Sequence, residues 1–100
     1  MPVINGFYQE VSDAHVRREK ERARALRQSR WWQSLIGQVA CCYCATALGK
    51  KDVTMDHVVP ISQGGQSVRS NVVPACKECN TRKRDMTAVE WALFRNQAGS

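Results

Sequence analysis

The sequence lacks any long apolar run. The uncharged stretch from Leu35 to Gly49 is too short and too polar to span a bilayer, and extending it back to Trp31 adds further polar residues. The first ten residues, MPVINGFYQE, carry no basic cluster followed by an apolar segment, so no secretory signal is visible. These absences predict a cytoplasmic protein without membrane contact. In that compartment thiols stay reduced, and paired cysteines more often bind metal than form disulfides.

Acidic side chains are scarce relative to basic ones. The chain has nine Asp and Glu against fifteen Lys and Arg, which gives a formal net charge of +6 and a pI of about 9.4. A basic surface attracts polyanions, of which nucleic acid is the commonest. Seven of the basic residues fall between Arg17 and Arg30, against only Glu19 and Glu21. This run indicates either a nucleic-acid contact or an ordinary solvated helix face.

Glycine and proline are absent between residues 12 and 36, and this absence predicts a helix. We therefore expect a basic N-terminal helix over residues 12–37, preceded by a flexible arm over residues 1–11. Trp31 and Trp32 recur with apolar neighbours at helical spacing, which favours core packing over stacking on nucleic-acid bases.

Residues 38–100 are expected to form a zinc-stapled core within the same single domain, because one hundred residues are too few for two domains. The order of signals is a cysteine turn, a strand, a loop with Gly64 and Gly65, a second strand, a second cysteine turn and two helices. Thr87 and Glu90 form a capping box that opens the last helix. The two strands are close enough to pair as a hairpin, so the predicted fold class is small α+β.

Two cysteine pairs flank the predicted strands. Cys41 and Cys44 are separated by two residues, as are Cys76 and Cys79, and this spacing lets one tight turn present two sulfurs to one ion. Two such turns complete a tetrahedron, and soft thiolates select zinc. The alternatives are buried free thiols or disulfides. The fifth cysteine, Cys42, is interpreted as a packed or semi-exposed thiol. A zinc ion with four protein ligands cannot activate water, so any chemistry must lie elsewhere.

The chain has only two histidines, and one of them, His57, follows Asp56 in the strand-like segment VTMDHVVP. A lone histidine in an apolar strand is more often structural than catalytic. Asp56 beside it, Asn71 at the start of the second strand, and Asn80 after the second cysteine pair favour the catalytic interpretation. The other histidine, His15, lies in the basic helix and is taken as incidental.

These residues together resemble the HNH endonuclease family. The likeness rests on DHVVP, a GG loop, NVVPACKECN and a basic helix, with CxxC pairs on both sides, and it extends from about Trp31 to Trp91. Asn80 stands at the third position, which makes the sequence an HNN variant. The resemblance implies a ββα-metal (HNH/treble-clef-like) core with a zinc-braced hairpin, joined to an N-terminal basic helix and a C-terminal helix.

The resemblance also implies the roles of the site residues. His57 would be the general base that takes a proton from water, and Asn71 would fix the loop and the orientation of the histidine through backbone hydrogen bonds. Asp56 and Asn80 would bind one divalent ion, Mg²⁺ or Mn²⁺, at the scissile phosphate. This assignment is chemically coherent, because a histidine with a pKa of about 6.5 can accept a proton at neutral pH. Hard oxygen donors also suit these two ions.

Three basic residues follow Asn80, and we expect them to contact the phosphates that flank the cut: Arg82, Lys83 and Arg84. The predicted function is therefore a metal-dependent endonuclease that nicks or cuts double-stranded DNA with low sequence selectivity. By resemblance its products would carry 5′-phosphate and 3′-hydroxyl ends, and a phage or mobile-element protein could direct it.

One feature opposes the metal assignment. In a regular strand, adjacent side chains face opposite ways, so Asp56 and His57 reach one site only if the strand ends or bulges there. Two other functions are compatible with the sequence. One is a non-catalytic, zinc-braced nucleic-acid-binding module, and the other is a protein-interaction zinc domain whose basic run docks an acidic partner.

Overall fold

The computed structural model describes residues 11–98, so the predicted N-terminal arm lies, apart from Val11, outside the described residues. Within them the chain forms four helices and two antiparallel strand pairs. The elements are α1 (Asp13–Arg27), α2 (Arg30–Leu35), β1 (Val39–Ala40), β2 (Ala47–Leu48), β3 (Val53–His57), β4 (Val72–Cys76), α3 (Lys77–Lys83) and α4 (Ala88–Ala98). The predicted small α+β fold is present, and its short strand pairs and close cysteines are compatible with an HNH-type zinc-binding fold.

The predicted single helix over residues 12–37 is divided into two. Ser29 has an extended backbone, and its Oγ accepts the N–H of Trp32 at 3.2 Å while donating to the carbonyl of Leu26 at 2.7 Å. One hydroxyl therefore caps both the end of α1 and the start of α2, which satisfies backbone groups that a helix end leaves unpaired. The change of direction places α2 against the sheet and buries Trp32, as the sequence predicted for the tryptophans.

The hairpin of β3 and β4 is the centre of the molecule. Its register pairs Val53 with Cys76 and His57 with Val72, and α3 begins directly after β4. Cys76 is the N-cap of α3, because its sulfur accepts the N–H of Cys79 at 3.3 Å. A strand pair followed at once by a helix is the order that the sequence predicted.

The two faces of this hairpin carry two separate cores. The first lies beneath α1 and α2 and is built from Ala23, Trp32, Ile36, Met55 and Val72. The second lies on the other face, next to the cysteine pairs, and is built from Cys41, Ala75, Cys79 and Trp91. Side chains alternate along a strand, so successive residues of β3 point to opposite faces of the hairpin, and Met55 belongs to the first core. This alternation decides which way Asp56 and His57 point.

The last helix begins with the predicted capping box. Thr87 N–H donates to Glu90 Oε1 at 2.8 Å, and Glu90 N–H donates to Thr87 Oγ1 at 3.1 Å. Trp91 anchors α4 in the second core, whereas Val89 and Leu93 are exposed. Across residues 11–98, no helix is long and apolar enough to cross a membrane.

Candidate metal centre and active site

The four paired cysteines come together at one point. Two of them lie at the β1–β2 hairpin and two at the start of α3, and all four Sγ atoms lie within 4.8 Å of one another. Cys44 Sγ and Cys76 Sγ are 3.9 Å apart, close to the sulfur–sulfur separation of about 3.8 Å expected around a tetrahedral zinc ion. The donor set and its spacing therefore fit a zinc ion. The sequence predicted the cysteine turn but not the short strands that frame it.

Local contacts favour the thiolate form of one of these cysteines. Thr46 Oγ1 lies 3.1 Å from Cys44 Sγ, and hydrogen bonds from Thr46 lower the pKa of Cys44 to about 6. A thiolate is the form that binds metal. Cys42 is exposed and does not belong to the cluster, although its backbone N–H joins the hairpin to β4 through a 3.0 Å bond to the carbonyl of Pro74.

His57 lies at the end of β3 on the face that α1 covers. Its ring is half-buried, and Nε2 lies 2.9 Å from Ser67 Oγ. Burial lowers the pKa of His57 below its ordinary 6.5; Lys83 also lowers it, while Asp56 has the opposite effect. The ring is therefore uncharged at neutral pH and can accept a proton.

Asp56 points to the face of β3 opposite to His57, and its predicted role as a metal ligand stays a prediction. β3 is regular at this point, with neither a bulge nor an early end. The carboxylate is 4% exposed and accepts a hydrogen bond from the hydroxyl of Tyr43. Lys83 Nζ lies 3.2 Å from Oδ2 and 3.3 Å from Oδ1. Both carboxylate oxygens thus have partners within the protein.

Lys83, which the sequence predicted as a contact to phosphate, is buried. Its side chain is 1% exposed, and its ammonium donates to the carbonyl of His57 at 2.9 Å in addition to pairing with Asp56. Lys83 is the last residue of α3, so its long side chain runs back beneath the helix to the strand. The sequence did not show this burial, because a basic run does not reveal which residue a seven-residue helix turns inward; the phosphate contact of Lys83 stays a prediction.

The side-chain oxygen of Asn80, Oδ1, is available to bind a ligand. Thr54 Oγ1 donates its proton to the carbonyl of Ala75 at 2.8 Å, so it must accept from Asn80 Nδ2, which lies 2.9 Å away. This bond fixes the amide orientation, and among the described residues none donates to Asn80 Oδ1. The free oxygen is a suitable donor for a hard cation.

Asn71 holds the loop that connects the two strands. Its Oδ1 accepts the N–H of Val59 at 2.9 Å, and its Nδ2 donates to the carbonyls of Val59 at 3.0 Å and Gln66 at 2.8 Å. These are backbone bonds of the kind expected for this residue. The loop packs so tightly that a Cβ on Gly65 would lie 1.8 Å from the carbonyl oxygen of Val59, and Gly64 has a positive φ of 91°. The GG pair is therefore required by the path of the loop.

A cleft of about 300 Å³ joins these parts. It is lined by Val16 and Lys20 of α1, by Met55, Asp56 and His57 of β3, by Pro60, Ile61 and Ser62, and by Asn80, Lys83, Arg84 and Asp85. Since three successive strand residues contribute, the cleft borders the edge of β3 rather than one face of it. It therefore brings His57 and Asn80 to one space although they approach it from different sides of the hairpin.

Basic side chains surround this cleft. Lys20 and Arg84 line it and are exposed, and Arg82 is exposed on α3, with its guanidinium 5.5 Å from the centre of the Trp91 ring. The exposed arginines of α1 extend the positive charge away from the cleft. A polyanion that entered the cleft would thus meet positive charge from two helices.

Three residues of the site were not anticipated from the sequence. His15 Nε2 lies 3.1 Å from the carbonyl oxygen of Gly65, and Glu19 bonds the backbone and hydroxyl of Ser67 at 2.7 Å each. His15 is therefore not incidental, since it helps to dock α1 on the loop. The available signal was that Glu19, like Glu21, is acidic within a basic run, but nothing in the sequence indicates the partner of Glu19.

Comparison with known proteins agrees with this geometry. The family model described as HNH endonuclease matches residues 41–91. The chain is 37% identical over 54 residues to the CRISPR-associated endonuclease Cas9 of Actinomyces naeslundii, which covers 53% of this chain and 5% of that protein. It is 36% identical over 53 residues to the Cas9 of Corynebacterium diphtheriae, which covers 52% of this chain and 5% of that protein. The chain thus spans about one-twentieth of the length of these relatives.

Proposed function

The chain belongs to the HNH endonuclease family, and we propose that it hydrolyses DNA phosphodiester bonds in the cleft lined by His57 and Asn80. One observation carries the proposal: a half-buried, uncharged histidine and Asn80, whose amide oxygen has no donor among the described residues, line one cleft together with the exposed cations Lys20 and Arg84. A pure binding surface has no use for a proton acceptor at that place. The family fold, the ββα-metal core, is part of the proposal and is supported by the order of β3, β4 and α3.

His57 acts as the general base in this proposal. Hydrolysis of a phosphodiester needs a water molecule that loses a proton as it attacks phosphorus, and a neutral imidazole can take that proton. The hydrogen bond to Ser67 holds the ring in place, and the burial that lowers its pKa keeps it unprotonated at neutral pH. Asn71 supports the base indirectly, because it fixes the loop that carries Ser67.

A divalent cation, Mg²⁺ or Mn²⁺, is proposed to assist by stabilising the charge that develops on the phosphate and the leaving oxygen. The described residues fit such an ion only in part. Asn80 Oδ1 is available as a donor, whereas Asp56 is paired with Lys83 and Tyr43. Asn80 would therefore be one protein ligand, and we retain Asp56, which lines the same cleft, as the second.

The zinc ion is proposed to be structural. It would join the β1–β2 hairpin to the start of α3, and thereby brace α3 against β4. A metal that binds only the folded state stabilises folding directly, which matters in a chain with two small cores.

Double-stranded DNA is the proposed substrate. Lys20 and Arg84 at the cleft and Arg82 beside it would contact phosphates, which position the duplex without reading its sequence. We therefore propose low sequence selectivity and products with 5′-phosphate and 3′-hydroxyl ends. The Cas9 relatives are CRISPR-associated endonucleases by name, and a partner that directs this chain, such as a phage or mobile-element protein, is likewise a proposal.

A supercoiled-plasmid assay tests the function. Zinc-loaded protein is incubated with plasmid in Mg²⁺ or Mn²⁺ and, in parallel, in metal-free buffer to which neither ion is added. We expect relaxed or linear plasmid only with the divalent ion. Binding of plasmid fragments with no cleavage under either condition would instead favour a non-catalytic nucleic-acid-binding module.

A further inference from the structure

Helix α1 is connected to the candidate base, His57, by hydrogen bonds through Ser67. Glu19 of α1 accepts the N–H of Ser67 on Oε1 at 2.7 Å, and its backbone carbonyl oxygen lies 2.7 Å from Ser67 Oγ. Ser67 Oγ in turn lies 2.9 Å from His57 Nε2. Glu19 is fully buried and Ser67 is 6% exposed, so solvent does not compete for these bonds.

Counting protons along this series of hydrogen bonds determines which nitrogen of the His57 ring is protonated. A serine hydroxyl has one proton, and a carbonyl oxygen only accepts, so Ser67 donates to Glu19. Ser67 Oγ must then accept from His57, which places a proton on Nε2. In the neutral ring, Nδ1 then carries the lone pair. The opposite tautomer would leave the Ser67 and Glu19 oxygens 2.7 Å apart with no proton between them.

Glu19 is held in its charged form while it makes these bonds. Arg22 Nη1 lies 2.8 Å from Oε2, and Arg18 Nε lies 3.7 Å from the same oxygen. The N–H of Ser67 is the main cause that lowers the pKa of Glu19 below its ordinary value, although burial opposes this. His15, four residues earlier on α1, bonds the carbonyl of Gly65 in the same loop. Two turns of α1 thus hold the loop that carries Ser67.

We propose that Glu19 and Ser67 are positioning residues that keep His57 in the Nε2-protonated tautomer, so that Nδ1 is the atom that accepts the proton from water. The inference rests on the proposed function and adds a specific atom and two specific residues to it. α1 precedes the region, residues 41–91, that the family model matches. An element outside the matched region would thus complete the active site of this chain.

Nitrogen-15 NMR tests the assignment without relying on activity. The zinc-loaded full chain is labelled with ¹⁵N, and the His57 ring is observed at a pH where it is neutral. We expect a protonated Nε2 and a lone-pair Nδ1 in the parent. In Ser67→Ala we expect a mixture of both tautomers, and a kcat for plasmid nicking lower by about 10- to 100-fold with little change in KM.

Two further variants separate positioning from a general effect on folding. Ser70→Ala makes the same change at an exposed serine of the same loop and should alter neither tautomer nor kcat. Glu19→Gln keeps an oxygen that can accept the N–H of Ser67 and should retain the parent tautomer, whereas Glu19→Ala should lose it. Amide spectra and zinc content show whether each variant is folded.

The outcomes are distinct. A proton on Nδ1 in the parent, or an unchanged tautomer and kcat in folded Ser67→Ala, would overturn the positioning proposal even if the protein cuts DNA. A parent with Nε2 protonated that fails to nick plasmid would overturn the nuclease function and leave the hydrogen-bond assignment intact. If Ser67→Ala does not fold, the parent tautomer together with the comparison of Glu19→Gln and Glu19→Ala decides the question.

Discussion

Asp56 and His57 are adjacent in sequence, but their side chains lie on opposite faces of the β3–β4 hairpin. Asp56 pairs with Lys83 beneath α3, at 3.2 Å, whereas His57 bonds Ser67, which α1 holds in place. The two residues therefore have different tasks in this structure. Asp56 belongs to a buried ion pair that joins α3 to the hairpin, and it lines the cleft together with His57.

The buried ion pair predicts a stability effect for Lys83. Replacing it as Lys83→Met leaves the Asp56 carboxylate buried without its cation, and we expect a loss of roughly 3–5 kcal/mol in the free energy of unfolding. Lys77→Met removes an exposed lysine from the same helix and should change the stability by less than about 0.5 kcal/mol. Chemical denaturation of the zinc-loaded proteins measures both effects.

A double variant tests whether the unpaired charge of Asp56 causes this loss of stability. Asp56→Asn combined with Lys83→Met removes both charges and should recover part of the loss, because the cost comes from an unpaired charge. If Lys83→Met melted like the parent and only weakened DNA binding, Lys83 would be a surface contact and the buried pair would be refuted.

The cysteine cluster predicts that one ligand controls both metal content and folding. Cys76→Ser removes a sulfur that also caps α3, so the variant should lose most of its zinc and either unfold or melt far below the parent. Cys42→Ser changes an exposed thiol outside the cluster and should keep one zinc per chain. Metal analysis and thermal melting provide the measurements. A Cys76→Ser protein with parental zinc content and melting temperature would reject the site.

The environment of His57 predicts the acid limit of activity. Because burial lowers the pKa of His57 below 6.5, the ring becomes protonated only at a pH below that value, and a protonated ring cannot act as a base. The nicking rate should therefore fall to half its plateau at a pH below 6.5. DNA affinity measured over the same range separates this effect from binding. A half-maximal point above 6.5 would be inconsistent with the assigned environment.

Local patterns in the sequence were sufficient to predict much of the fold. The strand-like segment VTMDHVVP predicted β3, Thr87 and Glu90 predicted the start of α4, and the two CxxC spacings predicted four converging sulfurs. Each of these signals depends on residues a few positions apart, whose geometry follows from turn and helix periods. The resemblance that they support is confirmed by the match to the HNH endonuclease family.

The features that the sequence did not predict depend on contacts between segments that are distant in sequence. Glu19 and Ser67 are 48 residues apart, and nothing in either neighbourhood indicates the other. Lys83 was predicted to contact phosphate because it follows Asn80 in a basic run, yet its partner Asp56 lies 27 residues earlier. Ser29 was overlooked for a different reason: a serine inside a helix-favouring sequence becomes a break only when the following segment gains enough by packing on the sheet.

The most direct measurement compares plasmid nicking by the parent and His57→Ala, each zinc-loaded, in the presence of Mg²⁺ or Mn²⁺. We expect the variant to keep its zinc and melting temperature, to nick roughly 10²- to 10⁴-fold more slowly, and to regain part of the rate when free imidazole is added. Equal nicking rates for the two folded proteins would contradict the assignment of His57 as the base, and with it the proposed hydrolytic site.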